Sequence, residues 1–209
     1  MFEMSAAFDS QSVSLDAPVG VSLTNAFARC AQSAGVEQVD LSGLRFVEAT
    51  DSSSQSLLAD APAQSALSIH LGNPSESAAL PDLGMDPQRL EVSILAALQR
   101  TGRENLDIVQ LTGQCADHLL SRKQVQTLRS LKDEGLVRNW GVRVRTVRQA
   151  MRAMSIVGLS YVSFNASDFG AEATAGILAA ARRAGTTVIV SVNADTPAQT
   201  ISGLRHNPS

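Results

Sequence analysis

Segments with the period of an amphipathic helix alternate with short apolar segments along most of this chain, and this alternation constrains its fold most. The helical patterns lie at 22–34, 52–61, 86–100, 122–134, 146–155 and 171–184. The strand-like segments lie at 36–40, 66–70, 106–111, 137–142, 159–164 and 187–192. A helix between two strands is the crossover that joins parallel strands. The pattern therefore predicts a parallel α/β domain with six strands, and a seventh strand within 12–21.

Crossovers this regular suit either a barrel or a doubly wound sheet. The sequence after the strand at 36–40 begins Val-Asp-Leu-Ser-Gly-Leu at 39–44, which has one glycine and no glycine-rich phosphate loop. We therefore expect a TIM-type (β/α) barrel.

Composition excludes several classes of partner. The formal net charge is −3, and nucleic-acid binding would need a basic surface. Many arginines fall within 122–152, where they indicate solvated helix faces, with phosphate binding as the alternative. No apolar run approaches the ~20 residues that cross a bilayer. The absence of Lys and Arg before Arg29 argues against a signal peptide. The two cysteines, Cys30 and Cys115, do not have the spacing of metal ligands. We expect a cytoplasmic protein that binds neither nucleic acid nor membrane.

The stretch LRSLKDEGLVRNWGVRVRTVRQAMRAMSIVGLSYVSFN at 128–165 resembles a region of aldo-keto reductases. In that family a helix runs into G-K-I-R-x-x-G-V-S-N and later Q-x-x-Y-N. Similar likenesses, in the family's order and spacing, occur at 31–40, 89–111 and 164–190. The resemblance implies an aldo-keto reductase barrel over 21–209, with 1–20 as an extension that covers its edge. Only seventeen residues follow 192, and the usual barrel has about 250 residues. We therefore expect an incomplete barrel of six to seven strands without its last β/α unit.

The resemblance also implies where catalytic residues would lie. The family uses an Asp, a Tyr proton donor, a Lys and a His at the C-terminal ends of the strands. Asp40 matches the Asp, His70 stands where the Lys belongs, and Thr112 stands where the His belongs. The segment 41–55 lacks the Tyr, and the single tyrosine of the chain is Tyr161, on a strand. Carbonyl reduction needs an acid to protonate the developing alkoxide, so we expect that reduction has been lost.

The cofactor contacts that the resemblance implies are also altered. Arg143 and Val144 replace a Ser-Asn pair that contacts nicotinamide in the family. Tyr161 replaces a Gln, whereas Asn165 keeps its place. We expect no NADPH site and no other cofactor.

Asp40 and His70 end neighbouring strands at the face where barrel active sites lie, so they could form an acid–base pair. A purely structural hydrogen bond, or no contact, is the alternative. Asp51 or Glu48, in the loop expected after Asp40, could supply a second carboxylate, and both could equally be solvated loop charges. Thr112 completes the candidate catalytic set.

Arg143 could anchor a carboxylate or phosphate, and its alternative role is a surface ion pair. Trp140, Tyr161 and Asn165 are candidate substrate-binding residues, although a packed core position is the default for the two aromatic side chains.

Two classes of function follow. The first is binding of a small metabolite, or acid–base chemistry of cyclase, isomerase or lyase type, in a biosynthetic pathway. The second is a non-catalytic regulatory or scaffold subunit, and a residual NADPH-dependent reductase comes third. An open barrel would expose strand edges, so we also expect a homodimer or a partner protein to cover them.

Overall fold

The computed structural model describes residues 21–23, 46–49, 55, 66–72, 86–112 and 120–191. Seven strands lie in these ranges: β1 Val21–Leu23, β2 Phe46–Ala49, β3 Ala66–Leu71, β4 Leu106–Thr112, β5 Val137–Arg143, β6 Tyr161–Asn165 and β7 Thr187–Ser191. The α-helices are α1 Pro87–Thr101, α2 Arg122–Asp133, α3 Val147–Met154 and α4 Ala171–Ala184, and a 3-10 turn spans Ala166–Asp168.

All neighbouring strands pair in parallel, in the order β1-β2-β3-β4-β5-β6-β7, so each strand lies beside the next one along the chain. Helices connect β3 to β4 and each later strand to the next. Among the described residues, β1 and β7 are the edges of the sheet. Within the described residues this is an incomplete parallel α/β barrel, which agrees with the predicted fold class. The predicted extension at 1–20 lies outside the described residues and stays a prediction.

The strands from residue 66 onward match their predictions to within two residues at each end. The segment 36–40, predicted as a strand, lies outside the described residues, as do most of the helices predicted at 22–34 and 52–61. The start predicted for the first helix is wrong, because Ser22 and Leu23 belong to β1. The prediction that Glu48 lies in a loop is wrong, because Glu48 is the third residue of β2. A single charge among Phe46, Val47 and Ala49 lowered the strand signal, but that carboxylate has polar partners inside the fold.

Alternation along the strands divides the sheet into two faces. The outer face is apolar and packs against the helices. Val109 and Val142 of this face are at most 1% exposed. Leu90 of α1, Leu128 of α2 and Ile177 of α4 are fully buried in the same hydrophobic cluster. Burying a side chain of this size contributes about 1.5–3 kcal/mol, so this layer supplies much of the stability.

The opposite, inner face is largely polar. Its members alternate with the apolar residues and match one another in register, and they include Glu48, Ser68, His70, Gln110, Asn139, Gly141, Arg143, Tyr161 and Ser163. Several of these polar side chains are nevertheless almost fully buried. Buried polar groups need partners, so the inner face is where a site should be sought.

One carboxylate joins three strands at their N-terminal ends. Asp107 of β4 accepts a hydrogen bond from the backbone N–H of Leu67 in β3 at 3.0 Å. Its other oxygen accepts a hydrogen bond from the guanidinium of Arg138 in β5 at 2.8 Å. The second contact is largely exposed, so we expect it to contribute little free energy but to add to the register.

Helix α2 begins with a complete capping box. The Ser121 hydroxyl accepts from the backbone N–H of Gln124, and the Gln124 side chain accepts from the backbone N–H of Ser121. We expect Ser121→Ala to lower the free energy of unfolding by about 1 kcal/mol, because one helix donor loses its acceptor. Urea denaturation measures this, and Ser167→Ala, at an exposed site, should change stability by less than about 0.5 kcal/mol. Equal effects of the two substitutions would contradict the capping argument.

Within the part of the chain that the structure describes, no helix combines the length and the apolar character needed to cross a bilayer.

Candidate active site

A connected group of polar side chains lies on the inner face near the C-terminal ends of β2, β3 and β4. His70 Nε2 lies 2.6 Å from Glu48 Oε1. The Gln110 amide donates to the same Glu48 oxygen at 2.9 Å and to the Ser68 hydroxyl at 2.7 Å. We call these four residues the Glu48 network. None of them is more than 2% exposed.

The strand register brings the network together. Glu48 pairs with Ser68 across β2 and β3, and His70 pairs with Gln110 across β3 and β4. Residues two apart on a strand share a face, so Ser68 and His70 point the same way. The C-terminal ends of barrel strands are where barrel enzymes place their reacting groups.

The Glu48–His70 contact has a defined protonation pattern when Glu48 is ionised. A carboxylate only accepts hydrogen bonds, so His70 Nε2 must carry the hydrogen that lies between them. The described residues supply no hydrogen-bond partner for the other ring nitrogen, Nδ1. That nitrogen is the one through which His70 could exchange a proton with a ligand, while Glu48 fixes the ring orientation.

The predicted partner of His70 was Asp40, and the structure places Glu48 in that position. Asp40 and Asp51 lie outside the described residues, so their proposed roles stay predictions. His70 lies near the C-terminal end of β3 as expected. Its carboxylate partner comes from β2 at 46–49, later in the chain than the segment around Asp40.

A second set of polar residues lies on the same face, two residues nearer the C-terminal ends of the strands. Thr112 pairs with Arg143, and Arg143 pairs with Ser163, so the three form one row across β4, β5 and β6. We call this the Arg143 row. Thr112 and Arg143 are half-buried, whereas Ser163 is 1% exposed. The structure therefore places two of the predicted residues, Thr112 and Arg143, beside each other.

The remaining candidate substrate residues divide between the faces. Trp140 is fully buried in the cluster between the sheet and the helices, which supports a packing role. Tyr161 lies on the inner face and is half-buried, so it is positioned to line the interior. Asn165 ends β6, and its side-chain oxygen accepts from the backbone N–H of Ser167, which orders the turn after the strand.

Sequence reasoning missed Ser68, Gln110 and Ser163. A signal was available, because each is a polar residue that alternates with apolar neighbours in a strand. The same alternation occurs in strands whose polar side faces solvent, so the sequence alone does not show that these side chains are enclosed. Among the described residues, no group of three His, Cys, Asp or Glu side chains could hold a metal ion.

The aldo/keto reductase family model matches residues 77–193, more than half of the chain. The protein therefore belongs to the aldo/keto reductase family, and this confirms the resemblance stated above. A search of curated proteins found no match.

Solved structures of the family share the fold. A provisionally assigned aldo-keto reductase from Pseudomonas aeruginosa is 16% identical, with a TM-score of 0.61, and the match covers 83% of this chain and 71% of that one. The holo form of an aldo-keto reductase from Bacillus halodurans is 14% identical, with a TM-score of 0.58 and coverage of 86% and 63%. An aldo-keto reductase from Bombyx mori, solved in complex with NADP, is 11% identical, with a TM-score of 0.53 and coverage of 71% and 52%.

The chain thus spans between half and three quarters of the length of these three relatives. Identities this low show only a shared fold, so any chemistry has to be inferred from the residues of this chain.

Proposed function

We propose that this protein binds a small metabolite at the C-terminal ends of its strands and exchanges a proton with it through His70. The observation that carries the proposal is the 2.6 Å contact between His70 and Glu48, both side chains being 2% exposed. Burying two ionisable groups is costly, and proteins commonly place such pairs at functional sites.

The Glu48 network suits acid–base chemistry. Glu48 holds the ring through Nε2, and Gln110 holds Glu48 through the same carboxylate oxygen. Nδ1 of His70 would then remove a proton from the ligand or deliver one to it. Isomerisation, cyclisation and elimination each begin or end with such a transfer, so these reaction types fit the site.

We further propose that NADPH is not the cofactor. Family membership favours a nicotinamide cofactor, and residual NADPH-dependent reduction is the competing proposal. Against it, Val144, which replaces the second residue of the family's nicotinamide-binding pair, is fully buried on the outer face. Its backbone N–H donates to the Ser163 carbonyl at 2.8 Å, so the segment is held by β6. A valine side chain in the helix-facing core cannot hydrogen-bond a carboxamide on the inner face.

Non-catalytic binding to a partner is a second candidate. Val92 and Leu95 of α1 and Val147 and Met151 of α3 are large apolar side chains at least 39% exposed. A second copy of the chain, or another protein, could cover such residues and the edge strands β1 and β7.

The catalytic proposal predicts turnover that depends on His70 and Glu48 and needs no NADPH. We expect wild-type protein to deplete a compound from a small-molecule cell extract, measured by liquid chromatography coupled to mass spectrometry, which also separates isomers of equal mass. His70→Asn and Glu48→Gln should slow that depletion at least about 100-fold, because general acid–base groups contribute 10²–10⁴-fold. Arg138→Gln, at an exposed side chain, is the matched control and should keep the wild-type rate.

Three results would count against the catalytic proposal. Depletion that requires added NADPH would favour the reductase. An unchanged rate in His70→Asn would remove the proposed acid–base group. No depletion with any protein, together with a stable dimer in analytical ultracentrifugation, would favour the scaffold.

A further inference from the structure

Among the residues that the structure describes, the buried Ser163 hydroxyl has no hydrogen-bond partner. The Ser163 side chain is on the inner face of β6, and the residue is 1% exposed. Burying a hydroxyl without a partner is unfavourable, so such groups in native proteins usually meet a ligand or a water molecule.

Arg143 is the register neighbour of Ser163 on the same face. It ends β5 and is half-buried. Within the described residues, no hydrogen bond or ion pair is found for its guanidinium, whereas the exposed Arg138 of the same strand pairs with Asp107. Paired positions on neighbouring parallel strands lie about 4.8 Å apart, so a ligand group of a few atoms can reach both side chains.

We propose that Arg143 and Ser163 form a binding site for an oxyanion, the carboxylate or phosphate group of the metabolite. An arginine presents a planar fork of N–H donors that matches two oxygens of such a group, and a hydroxyl can donate to an oxygen of the same group. Thr112, on the other side of Arg143 in the row, places a second hydroxyl beside the site. The half-exposed arginine can be reached by a solute, while the buried hydroxyl gives the anion a desolvated contact.

The assignment of this anion to the reacting metabolite rests on the proposed function. The Arg143 row lies two residues further along the strands than the row of His70 and Gln110, on the same face. A metabolite held by its anionic group at Arg143 would extend toward the interior, where His70 lies. Anion binding itself does not require His70 and can be measured separately.

The test uses the full chain and two probes, inorganic phosphate and acetate, each titrated at constant ionic strength against sodium chloride. We expect saturable shifts of the backbone amides of Arg143 and Ser163 in heteronuclear NMR, with dissociation constants on the order of millimolar for probes this small. Arg143→Gln should weaken binding at least about tenfold, and Ser163→Ala should weaken it by a smaller factor. Arg145→Gln, at an exposed side chain two residues further, should bind like wild type.

Arg143→Lys keeps the positive charge but loses the planar pair of N–H donors, so its affinity should lie between those of wild type and Arg143→Gln. It replaces Arg143→Gln in the test if that variant fails to fold. His70→Asn should bind both probes like wild type, which separates this inference from the acid–base proposal.

A response to phosphate alone identifies a phosphate ligand, a response to acetate alone identifies a carboxylate ligand, and a response to both supports a shared oxyanion site. The proposal is overturned by the absence of a saturable response to either probe beyond that of chloride. It is also overturned by wild-type binding in the folded Arg143 variants, or by loss of binding in a His70→Asn protein shown to be folded, which would place the anion elsewhere.

Discussion

Replacing Gly141 with alanine should lower the free energy of unfolding by about 3 kcal/mol or more. A Cβ at Gly141 would lie 2.2 Å from the backbone oxygen of Tyr161 and 2.7 Å from its Cβ. Both contacts are far inside van der Waals distance, and the nearer atom belongs to the backbone of β6, which cannot rotate away. Overpacking a well-packed interior costs about 1–3 kcal/mol and sometimes more, and a clash with backbone belongs at the upper end.

Thermal unfolding measures the effect. For a chain of this length each kcal/mol shifts the midpoint by about 2–4 °C, so we expect a decrease of about 6–12 °C. The control is Gly176→Ala in α4, where an added Cβ meets nothing within 4 Å. That substitution should raise stability by about 0.5–1 kcal/mol, because glycine in a helix interior is unfavourable. A neutral Gly141→Ala would show that β5 and β6 are not as close as the structure has them.

Replacing Glu48 with alanine should be the most destabilising change in the Glu48 network. The substitution removes the carboxylate oxygen that both His70 and Gln110 contact, and both of those side chains are almost fully buried. Removing one partner of a buried ionic pair typically costs about 3–5 kcal/mol, largely because the other partner stays buried without compensation.

Glu48→Gln keeps an acceptor of nearly the same shape, so we expect it to lose markedly less stability than Glu48→Ala. The double variant Glu48→Ala/His70→Ala should be more stable than the sum of the single changes predicts, by about 0.5–3 kcal/mol. Urea denaturation of wild type, Glu48→Ala, His70→Ala and the double variant gives this coupling energy. Arg138→Gln breaks an exposed pair and should cost less than about 1 kcal/mol. Additive effects of Glu48→Ala and His70→Ala would mean that the two side chains do not interact energetically.

The sequence predicts the second half of the fold much better than the first. From residue 86 onward the helices are eight residues or longer and end at clear signals, such as Gly102 after α1 and Gly185 after α4, both with positive φ. Helical periodicity over several turns is a strong local signal, and the parallel order of the strands follows from the helices between them.

The candidate site is less predictable because it depends on which strand positions face inward together. His70 could be selected from its place at a strand end, but its partner could not. Glu48 is 22 residues from His70, and Gln110 is 62 residues from Glu48. Contacts at such separations follow from strand register, which short apolar segments such as β2 specify weakly. The resemblance to the family implies Asp40 at this place, and Asp40 precedes β2 in the chain.

The contacts of Asp107 suggest how this barrel could tolerate new chemistry. They tie β3, β4 and β5 together at the N-terminal end of the sheet, opposite the end where the Glu48 network and the Arg143 row lie. These contacts add to the alignment of the three strands and do not involve the residues that would meet a ligand. Substitutions at the far end can change what is bound or protonated while the spacing of the inward-facing side chains is kept.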